Sequence, residues 1–177
     1  FGGTCLNWGC IPTKTLLASA EVLHVVRKAA SFGVSVPDGA SADFAAMQRR
    51  KDEVVAKLRQ GIAQLVKANK IAVFQGTAAF ASPGRLVVEQ AGASTEIGFA
   101  KAIVASGSEP LLPGFLPKSE RILDSTALLA LPAVPASLLV LGGGVIGCEL
   151  ACLFARLGTQ VTVELPSLRR EEAEHAG

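Results

Sequence analysis

The chain has 177 residues, half of them hydrophobic and 18% charged, the balance of a globular protein rather than of a disordered one. Its net charge of +2 and its 5% aromatic content offer neither the basic surface nor the stacking platform that nucleic acid would need. The apolar stretch 127–148 contains two prolines and three consecutive glycines, which argues against a membrane helix. This length suits one domain or pieces of two. The first residue is Phe rather than Met, so we expect a fragment of a longer chain, without a signal peptide.

Two cysteines, Cys5 and Cys10, lie in the Gly-rich segment that opens the chain. Pro12 and the Ala- and Leu-rich residues after it predict a helix over about 12–32, because proline is tolerated in a first helical turn. Cys10 should therefore lie at or just before a helix N-terminus, where free N–H groups and the helix dipole favour a thiolate. Lys14 adds a positive charge one turn away. This environment suits a reactive sulfur.

The spacing of the two cysteines leaves three uses open. On an ideal helix, positions five apart are separated by about 7.5 Å along the axis, which is too far for a disulfide. The segment between the cysteines must therefore be irregular if the sulfurs are to bond, and Gly9 permits this. The local chemistry favours a redox pair, with two inert buried thiols or half of a zinc site as alternatives. Zinc is the weakest alternative, because structural zinc needs four ligands and no His or further Cys has the partner spacing.

The next part of the chain changes from a helical to a strand-like pattern. Apolar residues at mostly three- and four-residue spacing predict a second helix over about 42–69. Turn residues then separate three predicted strands of a hairpin or meander, 71–75, 85–89 and 95–99. The apolar run 101–105 predicts a buried parallel strand. It runs into Ser106, Gly107 and Ser108, a loop of the kind that holds ligands in α/β sheets.

A proline-containing linker follows, over 109–117. Beyond it, Ser125 is predicted to cap a short helix over 126–130. Pro132 and Pro135 then mark the entry to a second unit.

The second unit has the pattern of a dinucleotide-binding fold. A buried strand over 138–141, a helix over 145–157 ended by Gly158, and a strand over 161–163 are predicted in succession. Gly142, Gly144 and Gly147 lie between the first strand and the helix, where glycines let the backbone approach a pyrophosphate at the helix N-terminus. Glu164 follows the second strand, where a carboxylate can accept a hydrogen bond from a ribose hydroxyl. The alternative is a tight turn without a ligand.

The remaining Cys and His residues are interpreted as structural. Cys148 and Cys152 share one face of the helix over 145–157, and we expect them to pack it against the sheet rather than to form half of a metal site. His24 has no obvious acidic partner, and His175 belongs to a charged tail, 168–177, that we expect at the surface.

The opening segment, GGTCLNWGCIPTK, resembles the active-site signature of the flavin disulfide reductases, and the resemblance continues over nearly the whole chain. It implies an α/β fold made of fragments of two Rossmann-like domains that bind FAD and NAD, with a small antiparallel hairpin or meander inserted. The implied parts are a partial FAD-binding domain with a redox-active disulfide (1–108), a linker (109–134) and a partial NAD-binding domain (135–177).

The resemblance also implies the site. Cys5 and Cys10 would be catalytic and form the redox-active disulfide, with Cys5 as the exposed interchange sulfur and with no metal involved. Lys14 and Glu149 would approach each other across the boundary between the two parts. The implied cofactor-binding residues are Thr4, Lys14, Ala78, Ser106, Gly107, Ser108, Gly142, Gly144, Val145, Ile146, Gly147, Glu149 and Glu164. The family usually has one more residue before the acid at Glu164, and we expect the loop at 158–159 to absorb the difference.

The implied reaction is the oxidation of dihydrolipoyl groups, with electrons passing through the disulfide and FAD to NAD+. The implied partner is a lipoyl-bearing protein of a 2-oxoacid dehydrogenase or glycine-cleavage complex. The full-length protein would be a homodimer in the cytoplasm, or in the mitochondrial matrix of a eukaryote, with no role for nucleic acid or membrane. The alternatives are an enzyme similar to mercuric or glutathione reductase, or a non-catalytic dinucleotide-binding module. We expect the fragment alone to be inactive, because the family's His–Glu acid–base pair lies in a part that this chain lacks.

Overall fold

The computed structural model describes residues 1–37 and 39–165, which form the elements of an α/β protein. The elements in chain order are α1 (Gly3–Trp8), α2 (Cys10–Arg27), a short 3-10 helix (Ala29–Phe32), α3 (Phe44–Ala68), β1 (Thr77–Ser82), β2 (Arg85–Gln90), β3 (Ala93–Gly98), α4 (Ser125–Leu129), β4 (Ser137–Leu141), α5 (Val145–Leu157) and β5 (Gln160–Glu164). A three-stranded sheet and a separate two-stranded sheet confirm the predicted class and its inserted small sheet. The predicted surface tail 168–177, with His175, lies outside the described residues.

The helix that carries Cys10 begins at that residue itself, so the prediction of a helix N-terminus there is confirmed. The expectation of an irregular segment between the cysteines was wrong except at Gly9, since Cys5 lies inside α1. Gly9, with φ −131° and ψ −107°, is the single non-helical residue that separates α1 from α2. α1 forms because the N–H of Leu6 reaches the carbonyl of Gly2 and the Asn7 amide donates to the carbonyls at the start of the helix. α2 begins two residues earlier and ends five residues earlier than predicted, and the 3-10 helix completes the segment up to Phe32.

The core lies where α2, α5, α4 and the start of α3 meet. Its buried members are Leu16, Ala20, Phe44, Met47, Leu128, Leu129, Leu150, Leu153 and Phe154. The rings of Phe44 and Phe154 pack with their centroids 6.4 Å apart. The predicted apolar face of α3 is buried only at its first turn, and Leu58 and Leu65 farther along are exposed. In the described part of the chain, none of the helices has the length and apolar character needed to cross a membrane.

The antiparallel sheet has the order β1–β2–β3. The predicted strands 85–89 and 95–99 are confirmed within two residues, but the strand predicted over 71–75 lies instead at Thr77–Ser82. The reason is pairing: β1 is in register with β2 from Thr77 onward, whereas 71–75 has no partner strand among the described residues. Three of its apolar side chains are about half exposed in consequence, Ile71, Val73 and Phe74.

The predicted buried strand over 101–105 was also wrong. These residues form no strand, and Ile103 is 95% exposed. A buried parallel strand requires neighbouring strands, and in residues 39–165 none lies beside this segment.

The second unit is a β–α–β arrangement in which β4 and β5 are parallel, with Leu138 opposite Val161 and Leu141 opposite Glu164. The helix bounds are those predicted, and Gly158, at φ 103°, ends the helix. The prediction that β4 is buried was wrong, because alternate residues such as Leu139 are exposed. On the covered face, Leu138 and Val161 pack against the core.

The short helix α4 is capped by Asp124, so the prediction of Ser125 as its cap was wrong by one residue. Asp124 has extended backbone angles, and its Oδ1 accepts a hydrogen bond of 2.7 Å from the N–H of Ala127. Ser125 is instead the first helical residue.

Candidate functional site

Cys5 and Cys10 are two exposed free thiols at the junction of α1 and α2. A hydrogen bond between their side chains is the main reason why the pKa of Cys5 is raised above its usual value, with desolvation second. The N–H of Cys10 donates to the Cys5 sulfur and Lys14 lies nearby, and both effects lower this pKa without reversing the shift. The N–H at the start of α2 therefore acts on Cys5.

The loop over 106–108 lies beside this pair. Thr4, next to Cys5 in the chain, donates a hydrogen bond from its Oγ1 to the carbonyl of Ser108 at 3.2 Å. Gly107 has φ 90°, and a Cβ on it would stand 3.7 Å from the Thr4 hydroxyl. The structure thus joins three of the predicted site residues, Thr4, Gly107 and Ser108, although the strand predicted to precede the loop is absent. Their contact with a cofactor, like that of Ser106, stays a prediction.

Lys14 and Glu149 form an ion pair between Lys14 Nζ and Glu149 Oε1, which confirms the predicted approach of these two residues. Lys14 stands one turn into α2 and Glu149 one turn into α5. Their side chains are 56% and 27% exposed. The pair joins the N-terminal ends of the two helices, and so connects the thiol pair to the glycine turn.

The glycine turn between β4 and α5 is built for a close approach to its backbone. Gly142 has φ 105°, and its N–H donates to the carbonyl of Glu164 at 2.9 Å. A Cβ on Gly147 would overlap the carbonyl oxygen of Gly142, which is backbone and cannot move aside cheaply. Gly144 is the N-cap of α5, and no side chain occupies the capping position.

The cofactor implied by the resemblance fits this turn. α5 has 13 residues, so its N-terminus presents free N–H groups and the positive end of a helix dipole. A Cβ at Gly144 would meet nothing within 4 Å, and Val145 and Ile146 are 76% and 61% exposed. This open, uncapped end suits a pyrophosphate.

Glu164 and Ala78 are the remaining predicted contacts. Glu164 is the last residue of β5, paired with Leu141, so it lies at the strand edge that carries the glycine turn. Ala78 lies in β1, exposed and opposite Val88. Among the hydrogen bonds and ion pairs of the described residues, none connects Ala78 to the rest of the site.

A groove of about 460 Å³ runs along the surface where α2 and α5 meet. Its walls carry Leu17, Ala18, Glu21, Cys148, Glu149, Cys152 and Arg156. The expectation that Cys148 and Cys152 pack against the sheet was wrong, since both are exposed here. The buried face of α5 is formed by Leu150, Leu153 and Phe154 instead. Because α5 is apolar nearly all round, its residue pattern does not indicate which of its faces is buried.

The sequence interpretation missed a second ion pair between these helices. Arg156 Nη1 pairs with Glu21 Oε2, and Arg27 Nη1 donates to the carbonyl of Arg156 at 3.0 Å. The signal was present in the spacing, because Glu21 follows Lys14 by seven residues and Arg156 follows Glu149 by seven. Within residues 1–37 and 39–165, no three His, Cys, Asp or Glu residues cluster to hold a metal ion.

Comparison with known proteins shows that the chain is similar to a family of oxidoreductases. Residues 1–173 match the family described as pyridine nucleotide-disulphide oxidoreductase. The dihydrolipoyl dehydrogenase of Bacillus subtilis is 51% identical over 164 residues, which cover 92% of this chain and 36% of that protein. The dihydrolipoyl dehydrogenase of Chlamydia pneumoniae is 48% identical, covering 92% of this chain and 35% of its own length. The chain therefore spans about a third of the length of these relatives.

The fold is similar to that of the HOCl-induced flavoprotein disulfide reductase RclA from Escherichia coli. A Cu(II) complex of a mutant of that protein superposes with a TM-score of 0.77 at 33% identity. The match covers 96% of this chain and 35% of the other.

Proposed function

Because this chain belongs to the pyridine nucleotide-disulphide oxidoreductase family, we propose that it is part of a dihydrolipoamide dehydrogenase that uses FAD and NAD+. The observation that carries the proposal is the pair of exposed thiols, Cys5 and Cys10, at the junction of α1 and α2, one turn from the ion pair of Lys14 with Glu149. The relatives named dihydrolipoyl dehydrogenase, 41–51% identical, support the choice of substrate. We assign residues 1–108 to the FAD-binding part, 109–134 to a linker and 135–177 to the NAD-binding part.

The thiol chemistry follows from the arrangement of the two sulfurs. In the oxidised protein, one thiolate of a dihydrolipoyl group attacks the Cys5 sulfur, the Cys5–Cys10 bond breaks, and Cys10 leaves as a thiolate. The second dihydrolipoyl thiol, losing its proton, then attacks the mixed disulfide and releases Cys5. The lipoyl dithiol becomes a disulfide, and the protein gains two electrons, with Cys10 as a thiolate and Cys5 as a thiol that carries the proton lost by the second dihydrolipoyl thiol.

The residues around the pair hold the cofactors in this proposal. Thr4, Lys14, Ala78 and the 106–108 loop would contact FAD, and the turn at Gly142, Gly144 and Gly147 would contact NAD with Val145 and Ile146. FAD, when bound, takes two electrons from the dithiol and supplies hydride chemistry toward NAD+. Lys14 and Glu149 place a paired positive and negative charge between the two nucleotide-binding ends.

Partner and location follow from the substrate. Lipoyl groups are carried on a protein of a 2-oxoacid dehydrogenase or glycine-cleavage complex, which would be the partner. The complete protein would act as a homodimer in the cytoplasm, or in the matrix of a mitochondrion.

The proposal is tested in the complete FAD-loaded protein by following NAD+ reduction with dihydrolipoamide. Cys5→Ser and Cys10→Ser should each reduce turnover at least about a thousandfold, because neither can form the disulfide. Cys152→Ser, at an exposed cysteine outside the pair, is the matched control and should retain activity. Glutathione disulfide with NADPH tests the alternative substrate. Full dihydrolipoamide turnover in the Cys5→Ser protein would contradict the proposal.

A further inference from the structure

Two ion pairs join α2 to α5, and the positive residue is on α2 in one pair and on α5 in the other. Lys14 on α2 pairs with Glu149 on α5, and Glu21 on α2 pairs with Arg156 on α5. Both residues of the second pair lie seven positions after those of the first, so the two helices run in the same direction. Each helix thus carries one positive and one negative charge along the shared face, two turns apart.

This pattern fits one alignment of the helices only. A slip of two turns in one direction would place Lys14 opposite Arg156, and a slip in the other would place Glu21 opposite Glu149. An antiparallel alignment would create both of these like-charge contacts. Like charges placed face to face reject a wrong partner more strongly than one exposed pair favours the right one.

Arg156 is the centre of the second contact. Its side chain is 29% exposed and pairs with Glu21, while its carbonyl belongs to the last turn of α5, where no intrahelical donor remains. Arg27 fills that position by donating to this carbonyl at 3.0 Å. The C-terminal end of α5 is therefore held against α2 through both the side chain and the backbone of one residue.

We propose that Glu21, Arg156 and Arg27 form a positioning clamp that fixes the register of α5 against α2 and so sets where the glycine turn stands relative to Cys5 and Cys10. This inference rests on the proposed function. None of the three residues is a catalytic residue, because each acts through the helices. The clamp lies about two turns from the nucleotide-binding ends, and it acts on the part of the reaction that crosses from one unit to the other.

The test uses the complete FAD-loaded protein and follows the flavin absorbance in two half-reactions by stopped flow. Dihydrolipoamide alone reports the thiol half-reaction, and NADH alone reports the nucleotide half-reaction. Since a misplacement of about 1 Å can cost up to about a hundredfold in rate, Glu21→Lys and Arg156→Glu should each slow reduction by NADH about tenfold. Reduction by dihydrolipoamide should stay within about twofold, because Cys5 and Cys10 lie in the other unit.

Charge exchange separates positioning from stability. The double variant Glu21→Lys with Arg156→Glu restores opposite charges and should recover the NADH rate. Hydrogen exchange of the complete protein without NADH should show faster exchange over 145–157 in each single variant and protection again in the double variant. The matched control is the exposed pair Arg85 and Glu96 between β2 and β3, whose reversal should change neither half-reaction.

Every result of these measurements either supports or overturns the clamp. Equal slowing of both half-reactions, or no recovery in the double variant, would overturn the clamp and leave a general stability effect. Glu21→Gln covers the case in which a charge reversal fails to fold, and an unchanged NADH rate and unchanged exchange in that variant would also overturn the clamp. A wild-type protein whose flavin neither donor reduces would refute the proposed function, whereas the exchange measurement would still report on the clamp.

Discussion

Lys14 and Glu149, 135 residues apart in the chain, form an ion pair that joins the helix following the two cysteines to the helix following the glycine turn. With 56% of one side chain and 27% of the other exposed, the pair is well solvated. An exposed pair contributes about 0–1 kcal/mol to stability. We therefore infer that the pair positions the charge of Lys14 and adds little to the stability of the fold.

We expect a double-mutant cycle of Lys14→Met and Glu149→Gln to give a coupling free energy below about 1 kcal/mol in urea unfolding. The Arg85–Glu96 pair, with exposures of 64% and 55%, is the reference and should give a similar value. A coupling of several kcal/mol would show that the pair is buried in the complete protein.

The reactivity of Cys5 should depend on Cys10. Because the pKa of Cys5 is raised, mainly by its hydrogen bond with Cys10, less of it is thiolate at neutral pH than of an ordinary cysteine. The hydrogen-bonded pair adds stability below the usual thiol pKa, and this contribution is lost as the pH rises through the raised value. Cys10→Ala removes the partner, so Cys5 should then react with iodoacetamide several-fold faster at pH 7.

Labelling rates by mass spectrometry over pH 6–10 provide the measurement, on fully reduced protein. Cys152 is exposed and serves as the internal reference whose rate should not change. If Cys5 is labelled equally fast with and without Cys10, the hydrogen bond does not control its proton.

The glycine turn permits a matched pair of substitutions. In Gly147→Ala the new Cβ would overlap the Gly142 carbonyl, so the turn must shift, at a cost of about 1–3 kcal/mol. Gly144 has φ −68° and open space around its Cβ position, so Gly144→Ala should cost at most about 1 kcal/mol, the typical cost of Ala at an N-cap. Thermal unfolding with and without NAD distinguishes the two. If the Gly147→Ala protein were as stable as the Gly144→Ala protein, the turn would accommodate a methyl group at position 147 without a cost.

The second unit could be predicted from the sequence because its signals are local. A strand, three glycines and a helix that ends at Gly158 follow one another, and the helix bounds agree to the residue. The predicted pairing of Lys14 with Glu149 came from the resemblance, since no local pattern connects residues so distant in the chain.

The failures concern features that depend on distant neighbours. The segments 71–75 and 101–105 have strand-like composition, but a strand exists only beside a partner, and the described residues offer none. Cys148 and Cys152 were placed on the wrong side of α5 because the composition of that helix does not reveal which stripe meets the core. α1 was missed because its flanking glycines suggested a turn.

The cap of α4 provides a test of the structure that is independent of function. Asp124→Ala should destabilise the protein by about 0.5–2 kcal/mol, because the N–H of Ala127 loses its acceptor. Ser125→Ala, one residue later, should change stability by less than about 0.5 kcal/mol, since Ser125 is a helical residue without a capping bond. Urea unfolding of both variants measures the difference. If Ser125→Ala destabilised the protein more than Asp124→Ala, Ser125 rather than Asp124 would be the cap.

Glu164 is the residue expected to choose between NAD and NADP. The alternative to absorption of the missing residue by the loop is a slip of β5 by one residue, which would turn its side chains to the opposite face. In the structure, Val161 packs against the core opposite Leu138, and the carbonyl of Glu164 accepts from the N–H of Gly142. The position of Val161 agrees with absorption of the difference by the loop at 158–159, whereas Val163 is 41% exposed, so the absorption stays a prediction.

A carboxylate at this strand end should accept from a ribose 2′-hydroxyl and repel a 2′-phosphate. We expect Glu164→Ala and Glu164→Gln, in a protein with the complete NAD-binding domain, to weaken NAD binding and strengthen NADP binding. The ratio of the two dissociation constants should shift by about tenfold or more, since a charge-assisted hydrogen bond contributes about 1.5–3 kcal/mol. Gln160→Ala, exposed at the other end of β5, is the control and should leave the ratio unchanged. Calorimetric titration with both nucleotides measures it, and a ratio that does not move in either Glu164 variant would mean that another residue reads the ribose.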